Sequence, residues 1–284
     1  MVSFSYKLFA PLIALLPIRI AIAILYFRRF KTFPNIKKPI TFNEKLQYRK
    51  LYDRNPLLTV VADKLASKEY IKSKKLDIYI PKVIWQGYNL ENINISKLPL
   101  AYVYKANHAS RTNAFITNGE HYTKEKMDSL RKQWFSHDQS SVLGEWAYRD
   151  ILKEVFIEEY LDFQGTVPDD YKFFVYHGKV KFIQLDSGRF NEHKRNMFDE
   201  NWNDLNIDFS HERLIPTPKK PEFMDKMIKL AEIIGNDFDF IRVDFYYYKN
   251  MVTFGEITVY PGAGFEKFPT KEWDIEFGKH WIIS

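Results

Sequence analysis

Two segments near the C-terminus place acid, base and hydroxyl side chains at strand spacing. In Ile241-Arg242-Val243-Asp244-Phe245 the apolar residues alternate with Arg242 and Asp244, so a strand aims those two together, away from the core. Gly255-Glu256-Ile257-Thr258-Val259 repeats the pattern with Glu256 and Thr258. A three-residue loop, Lys249 to Met251, pairs Asp244 with Glu256 and Arg242 with Thr258, whereas a two-residue loop shifts the register and splits the faces. Two carboxylates meeting beside an arginine make a hard-oxygen site suited to Mg²⁺ and phosphate. A surface salt-bridge cluster is the competing reading. Lys105 ends the apolar run Leu100 to Tyr104 and precedes a polar loop, Asn107-His108-Ala109-Ser110-Arg111-Thr112-Asn113. A lysine there can hold phosphate as a point charge, helped by backbone N–H groups, although the loop lacks the glycines and Gly-Lys-Ser/Thr ending of a P-loop. Lys64, on a helix that also carries Lys68, is either a second phosphate contact or a solvated lysine. The seven histidines show no zinc-binding spacing, Ser110 has no nucleophile elbow around it, and His108 either orients a substrate or holds its loop.

The elements that must position these residues can be read from pattern and composition. The chain has 284 residues, 45% hydrophobic and 27% charged, which is ordinary globular composition. Its net charge of +6 suits an anionic small molecule, an anionic polymer or a membrane face as well as nucleic acid. Aromatic residues make up 17%, but without a basic stripe or an RNA-binding motif they read as core, so no nucleic-acid partner is expected. The absence of cysteine excludes disulfides, thiolate catalysis and Cys-ligated metals. Thr41-Phe42-Asn43-Glu44 is a capping box that opens a helix reaching towards Pro56, and a second helix is expected over Leu57 to Lys75. Another helix is expected over Thr123 to Phe135, and an amphipathic one from Phe223, closed by Gly235. Tyr171–Tyr176 and Lys179–Gln184 flank the turn His177-Gly178, a pairing that sets Phe174 against Lys181 and Lys172 against Ile183, with Lys172 and Lys181 on one face. Helices alternating with antiparallel strand pairs argue for a mixed α+β protein. Near the N-terminus, Phe9 to Phe27 is almost wholly apolar, is broken by Pro11, Pro17 and Arg19, and leads into Arg28, Arg29 and Lys31. It falls short of a spanning helix and lacks a signal-peptide exit, which leaves a docking helix or a membrane-surface helix with a basic flank.

Taken as an ordered set, the segments resemble the ATP-grasp ligases, most closely the branch named after teichuronopeptide biosynthesis (TupA-like). The landmarks are Thr41-Phe42-Asn43-Glu44-Lys45-Leu46, Asp63-Lys64 with Lys68-Glu69-Tyr70, Lys105-Ala106-Asn107-His108-Ala109-Ser110 and Ile157-Glu158-Glu159-Tyr160-Leu161. Asp170-Tyr171-Lys172, Arg242-Val243-Asp244-Phe245 and Gly255-Glu256-Ile257-Thr258 with Pro261-Gly262 complete them. The resemblance implies an ATP-grasp fold holding ATP and Mg²⁺ between two α+β lobes. The resemblance runs from about Thr41 to Trp281 and implies a substrate region over 41–100, a small lobe over 101–157 and a large lobe over 158–284, which leaves the apolar and basic 1–40 as an N-terminal helical segment. By it, Lys64, Lys105 and Ser110 approach the phosphates, adenine lies against Glu158, Glu159, Tyr160 and Leu161, and Asp170 sits near the ribose. Lys172 and Arg242 stand near the phosphates, Lys105 and Arg242 act in catalysis, and Asp244, Glu256 and Thr258 hold the metal. Family members activate a carboxylate as an acyl phosphate that an amine then attacks. The implied partners are a small-molecule amine and a carboxylate on a bacterial surface glycan or its precursor. The implied location is cytoplasmic, with peripheral membrane contact through residues 9–31 as an option. Three departures stand out: Ala109 and Arg111 where small flexible residues are expected, Thr258 where many ATP-grasp enzymes carry Asn, and little chain after the last motif. A surface-polysaccharide glycosyltransferase and a non-catalytic nucleotide-binding scaffold are the alternatives. The oligomeric state and the individual substrates are left open.

Overall fold

The computed structural model describes residues 12–136, 139–166, 168–189 and 192–283; residues 9–11 of the apolar run lie outside them. Helix α1 (Ile18–Phe30) buries Ala21, Ile22, Leu25 and Tyr26. Helix α2 (Phe42–Tyr52) starts at the expected capping box, with the Glu44 N–H donating to Thr41 Oγ1 and the Glu44 carboxylate accepting from the Thr41 N–H. The single helix expected over Leu57 to Lys75 is two, α3 (Leu57–Ala62) and α4 (Lys64–Ser73). Asp63 breaks it: its backbone is extended, and its carboxylate accepts from the N–H groups of Leu65 and Ala66 as an N-cap. Lys64 thereby becomes the first residue of a new helix, and its N–H donates to Asn107 O at 3.1 Å.

A four-stranded antiparallel sheet comprises β1 (Val83–Gly87), β2 (Tyr102–Ala106), β3 (Asn113–Ile116) and β4 (Val155–Glu159), in the order β1-β4-β2-β3. Helix α5 (Lys124–Phe135) covers it, burying Met127 and Trp134 against Tyr102, Tyr104 and Ile157. The short α6 (Gln139–Leu143) leads from it towards β4. Because β2 runs to Ala106, Lys105 lies inside the strand rather than at its end, opposite Asn113 and Phe156.

The second sheet has five antiparallel strands: β5 (Asp170–Tyr176), β6 (Lys179–Ser187), β7 (Lys194–Asp199), β8 (Phe240–Tyr248) and β9 (Met251–Thr258), in the order β7-β6-β5-β8-β9. Helix α7 (Met224–Gly235) packs on β5, β6 and β8, and α8 (Lys271–Lys279) lies against α2. Gly235 does not take the left-handed capping conformation; the residue after it, Asn236, is right-handed, and Gly235 is small because Val175 presses on it.

Both hairpins depart from simple pairing by one bulge. His177 and Gly178 form the expected two-residue turn, both at positive φ. An extra residue, Lys181, then slides the register, so Phe174 faces Phe182 and Lys172 faces Gln184, not Lys181 and Ile183. Lys181 turns to Glu200, well away from the Lys172 face on which it was expected. The β8–β9 loop has two residues, Lys249 and Asn250, both at positive φ, rather than the expected three. Gly255 is the extra residue that restores the rung, pairing Asp244 with Glu256 and Arg242 with Thr258. Only glycine is at ease there, since a Cβ would stand 2.9 Å from Asp244 O and 3.1 Å from the Tyr246 ring.

Candidate active site

The polar face of the five-stranded sheet is crowded with charges of both signs. Glu256 on β9 stands opposite Asp244 on β8, which stands opposite Lys172 on β5. Lys172 Nζ lies 2.9 Å from Asp170 Oδ2, 3.6 Å from Asp186 Oδ2 and 3.7 Å from Asp244 Oδ2. Asp186 on β6 is held in turn by Arg195 on β7, at 2.6 Å through Nε and 3.2 Å through Nη2. Arg242 chelates Asp244 through Nε at 2.8 Å and Nη2 at 2.7 Å, donates from Nη2 to Thr258 Oγ1 at 3.0 Å, and lies 3.8 Å from Glu256 Oε1. Strand alternation explains the face: Ile241, Val243 and Phe245 go into the core and leave Arg242 and Asp244 on the other side. Apart from Glu256, which is exposed, these charges are buried, so their mutual pairing is obligatory. Burial pushes the Asp244 carboxyl above its ordinary range, against the pull of Arg242 and Lys172. Asp186 is held far below its usual value, because Arg195 and Lys172 outweigh its burial.

A second group of charges comes from α4 and the four-stranded sheet. Glu158 on β4 receives Lys68 at 2.6 Å and Lys105 on its other oxygen, and Lys68 also donates to Pro81 O at 2.8 Å. Burial raises the Glu158 pKa, but the two lysines together hold it below its ordinary value. Lys64 Nζ donates to Ala109 O, and the Thr112 hydroxyl donates to the same carbonyl at 2.9 Å, so helix start and loop are tied together. Burial lowers the Lys64 pKa, and the field of Glu256, from the other sheet, is the strongest force opposing it. The helix that Lys64 opens packs against β9, the strand that carries Glu256.

The structure brings Lys172, Asp170, Arg242, Asp244, Glu256 and Thr258 onto one face, and joins Lys105 and Glu158 in one cluster that neighbours Lys64. The Glu158 side chain, from the segment expected to lie against adenine, pairs with the two lysines. Glu159 Oε1 accepts from Tyr79 at 2.6 Å, and Tyr160 and Leu161, half-buried, follow the end of β4. Asp170, expected near a ribose, is 1% exposed and paired to Lys172 and Arg189. Ser110 is exposed on the β2–β3 loop, where Ala109 is buried and Arg111 takes a φ of 60°, the left-handed region that glycine occupies without strain. Sequence reasoning did not single out Asp186, Arg189 or Arg195. For Asp186 a signal was present in β6, where Gln184 and Asp186 alternate with Ile183 and Leu185. Among the described residues no three His, Asp or Glu side chains converge on a common point. Asp244, Glu256 and Thr258 nevertheless offer hard oxygens on adjoining rungs, a donor set that suits Mg²⁺, which characteristically takes one or two protein carboxylates and completes its shell with water and phosphate. Two clefts lie elsewhere, one of about 450 Å³ lined by Phe182, Trp273 and Glu276, the other by Phe163, Asp169 and Tyr247.

Two antiparallel α+β lobes with facing lysines and an Arg-x-Asp…Glu-x-Thr hairpin define an ATP-grasp fold. The chain belongs to the TupA-like ATP-grasp family, whose model matches residues 44–282. No curated protein matches it in sequence. Among solved structures it is similar to D-alanine–D-alanine ligase from Bacillus anthracis complexed with ATP, at 17% identity over 70% of this chain and 53% of that one, with a TM-score of 0.43. It is also similar to VanG D-Ala:D-Ser ligase from Enterococcus faecalis (16% identity, 78% and 57% covered, TM-score 0.45). L-amino acid ligase from Bacillus licheniformis is a third (12% identity, 80% and 49% covered, TM-score 0.45). The chain spans about half the length of these structures.

Proposed function

We propose that the protein is an ATP-dependent carboxylate–amine ligase. The observation that carries this reading is the packing of the helix that begins at Lys64 and bears Lys68, of the Lys68–Glu158–Lys105 cluster, against β9 of the sheet that presents Lys172, Arg242, Asp244 and Glu256. In this reading residues 158–284 form the large lobe, 101–157 the small lobe, 41–100 a substrate region and 1–40 a separate helical segment. A carboxylate oxygen of the substrate attacks the γ-phosphorus of ATP, the bond to the β-bridging oxygen breaks, and ADP leaves. The amine nitrogen then attacks the acyl carbon, phosphate departs with the C–O electron pair, and the ammonium proton is lost to give the amide. Lys64, Lys105 and Lys172 neutralise the charge that spreads over the phosphoryl oxygens, and Arg242 orients the acyl phosphate. Asp244, Glu256 and Thr258 would hold Mg²⁺, which supplies Lewis-acid neutralisation at the phosphates when bound. The backbone of Glu159, Tyr160 and Leu161 supports adenine, with Ser110 over the phosphates, while Glu158 and Asp170 act through the lysines they hold. The family name supports a bacterial surface glycan, or its precursor, as the source of the carboxylate and an amino acid as the amine.

The test is thermal stabilisation of wild type and Glu256→Gln by Mg-ATP and Mg-ADP beside UDP-sugars with Mn²⁺. At a hundredfold excess over Kd a ligand stabilises by about 2.7 kcal/mol. Mg-ATP is expected to stabilise the wild type and Glu256→Gln to lose most of that gain, after which ADP release identifies the carboxylate and amine. Stabilisation by a UDP-sugar alone would replace the ligase with a glycosyltransferase, and no response to either would favour a scaffold.

A further inference from the structure

The charge of this protein is segregated in a way the ligase reading does not use. Residues 1–43 contain seven lysines and arginines and no acid, whereas the remaining 241 residues hold 35 basic and 36 acidic side chains, a net charge of −1. Helix α1 carries two apolar stripes. At 3.6 residues per turn, Ala21, Ile22, Leu25 and Tyr26 share one side, which is buried against the body around Leu143 and Phe265. Ile20, Ala23 and Phe27 fall on the opposite side, with Arg19 and Arg28 on its two flanks. Ile20 is 49% exposed and Phe27 44%, and the exposed apolar surface continues onto Leu15, at 82%, and Phe33, which stacks on Phe27 at 4.8 Å. Lys31, Lys37 and Lys38 are exposed around it. Among the described residues no helix is long and apolar enough to cross a membrane.

We propose that this outer stripe of α1 is a membrane-surface site that seats on a bilayer rich in anionic headgroups, with Phe27, Ile20 and Leu15 entering the acyl boundary and the flanking cations meeting the headgroups. Apolar side chains bordered by lysine and arginine, in a segment that contains no acid, match that partner in both chemistry and charge. A second copy fits poorly, because a two-fold interface sets the same patch against itself, cation on cation. A nucleic-acid backbone satisfies the cations and leaves Leu15 and Phe27 in water. The site is fixed to the body through the inner stripe and through Arg29, whose Nε donates to Phe265 O at 2.7 Å, so seating orients the whole protein on the surface.

The experiment is flotation of the full chain with phosphatidylcholine vesicles, with and without phosphatidylglycerol, at low and high salt. The wild type is expected to float with the anionic vesicles and to be released by salt. Lys31→Gln/Lys38→Gln should lower partitioning about twenty-five-fold, taking roughly fivefold for each surface cation. Phe27→Ser should lower it about tenfold, and Ile20→Ser by a similar factor, the loss expected for partly burying each side chain. Unchanged melting temperatures establish that these exposed substitutions leave the fold intact. Failure to float with either vesicle, equal floating with both, or retention by all three variants would overturn the proposal. So would light scattering that shows a wild-type dimer which Phe27→Ser dissociates. None of these readouts depends on ATP, so the site and the ligase reading fail separately.

Discussion

Glu158→Gln should destabilise the protein by about 3 kcal/mol, because it leaves two ammonium groups facing a neutral amide. The Glu158 and Lys68 side chains are 9% and 5% exposed, and Lys105 is 24% exposed. Removing one partner of a buried ion pair costs about 3–5 kcal/mol, since the charge left behind has already been stripped of water. The lower end applies here: Lys105 can swing into solvent, and Lys68 keeps its bond to Pro81 O. With an unfolding entropy of about 0.6 kcal/mol/K for a chain of this length, 3 kcal/mol corresponds to roughly 5 °C in Tm. Thermal and urea unfolding at neutral pH provide the assay. The pH dependence has a definite sign. The folded Glu158 pKa lies below its ordinary value of 4.5, so its contribution is present above that value and is lost as pH falls through the depressed folded value. The gap between wild type and Glu158→Gln should therefore close in acid. Glu158→Leu combined with Lys68→Met should recover much of the loss, as an apolar replacement of similar volume removes a desolvated charge on each side. A loss under about 1 kcal/mol in Glu158→Gln, with no narrowing in acid, would refute the claim that these lysines are held in place by a buried counter-charge.

Two further substitutions test the packing and a second buried pair. Gly235→Ala places a methyl 2.7 Å from Val175 Cβ in the core and should cost about 1–3 kcal/mol in urea unfolding. Glu145 and Lys50 are buried near one another, and burial pushes the acid up and the lysine down, each resisted by the other's charge. The unfolded chain gives up the Glu145 proton near 4.5 while the folded one retains it, so this group's contribution declines as pH rises above that value. Relative to wild type, Glu145→Gln should gain stability over that range, about 1.4 kcal/mol for each unit by which the folded pKa is raised. Parallel stability curves for the two proteins would exclude the effect. The nucleotide-dependent melting of Glu256→Gln and the vesicle partitioning of Phe27→Ser complete the set.

What was legible in the sequence was the set of decisions made locally. A capping box, amphipathic helical spacing and alternation at period two each depend on residues within a few positions of one another, and α2, α5, α7 and the two main hairpins follow from them. The kink at Asp63 was also local, an Asx cap in the middle of an otherwise helical run, but its strength shows only when the loop carrying Asn107 supplies an acceptor for Lys64. The bulges were not local. A two-residue turn at Lys249 and Asn250 implies the wrong faces for Asp244 and Glu256 unless one residue is looped out, and the residue that can be spared is fixed by how closely Asp244 O approaches Gly255.

The same distinction separates the two halves of the candidate site. The Arg242–Asp244–Glu256–Thr258 group occupies two adjacent strands, so alternation alone assembles it. The Lys68–Glu158–Lys105 cluster draws on a helix and two strands whose relative placement no local pattern encodes, and Glu158 consequently read as part of a hinge rather than as the counter-charge of two lysines. Its burial makes that role compulsory. Two ammonium groups on facing elements repel unless a carboxylate stands between them, and a carboxylate so placed also fixes where both can point. In the ligase reading, phosphate would compete with Glu158 for Lys105, the more exposed of the two, while Lys68 stays with the protein. One of the paired lysines is thus available to a ligand, and the other secures the carboxylate that aims it.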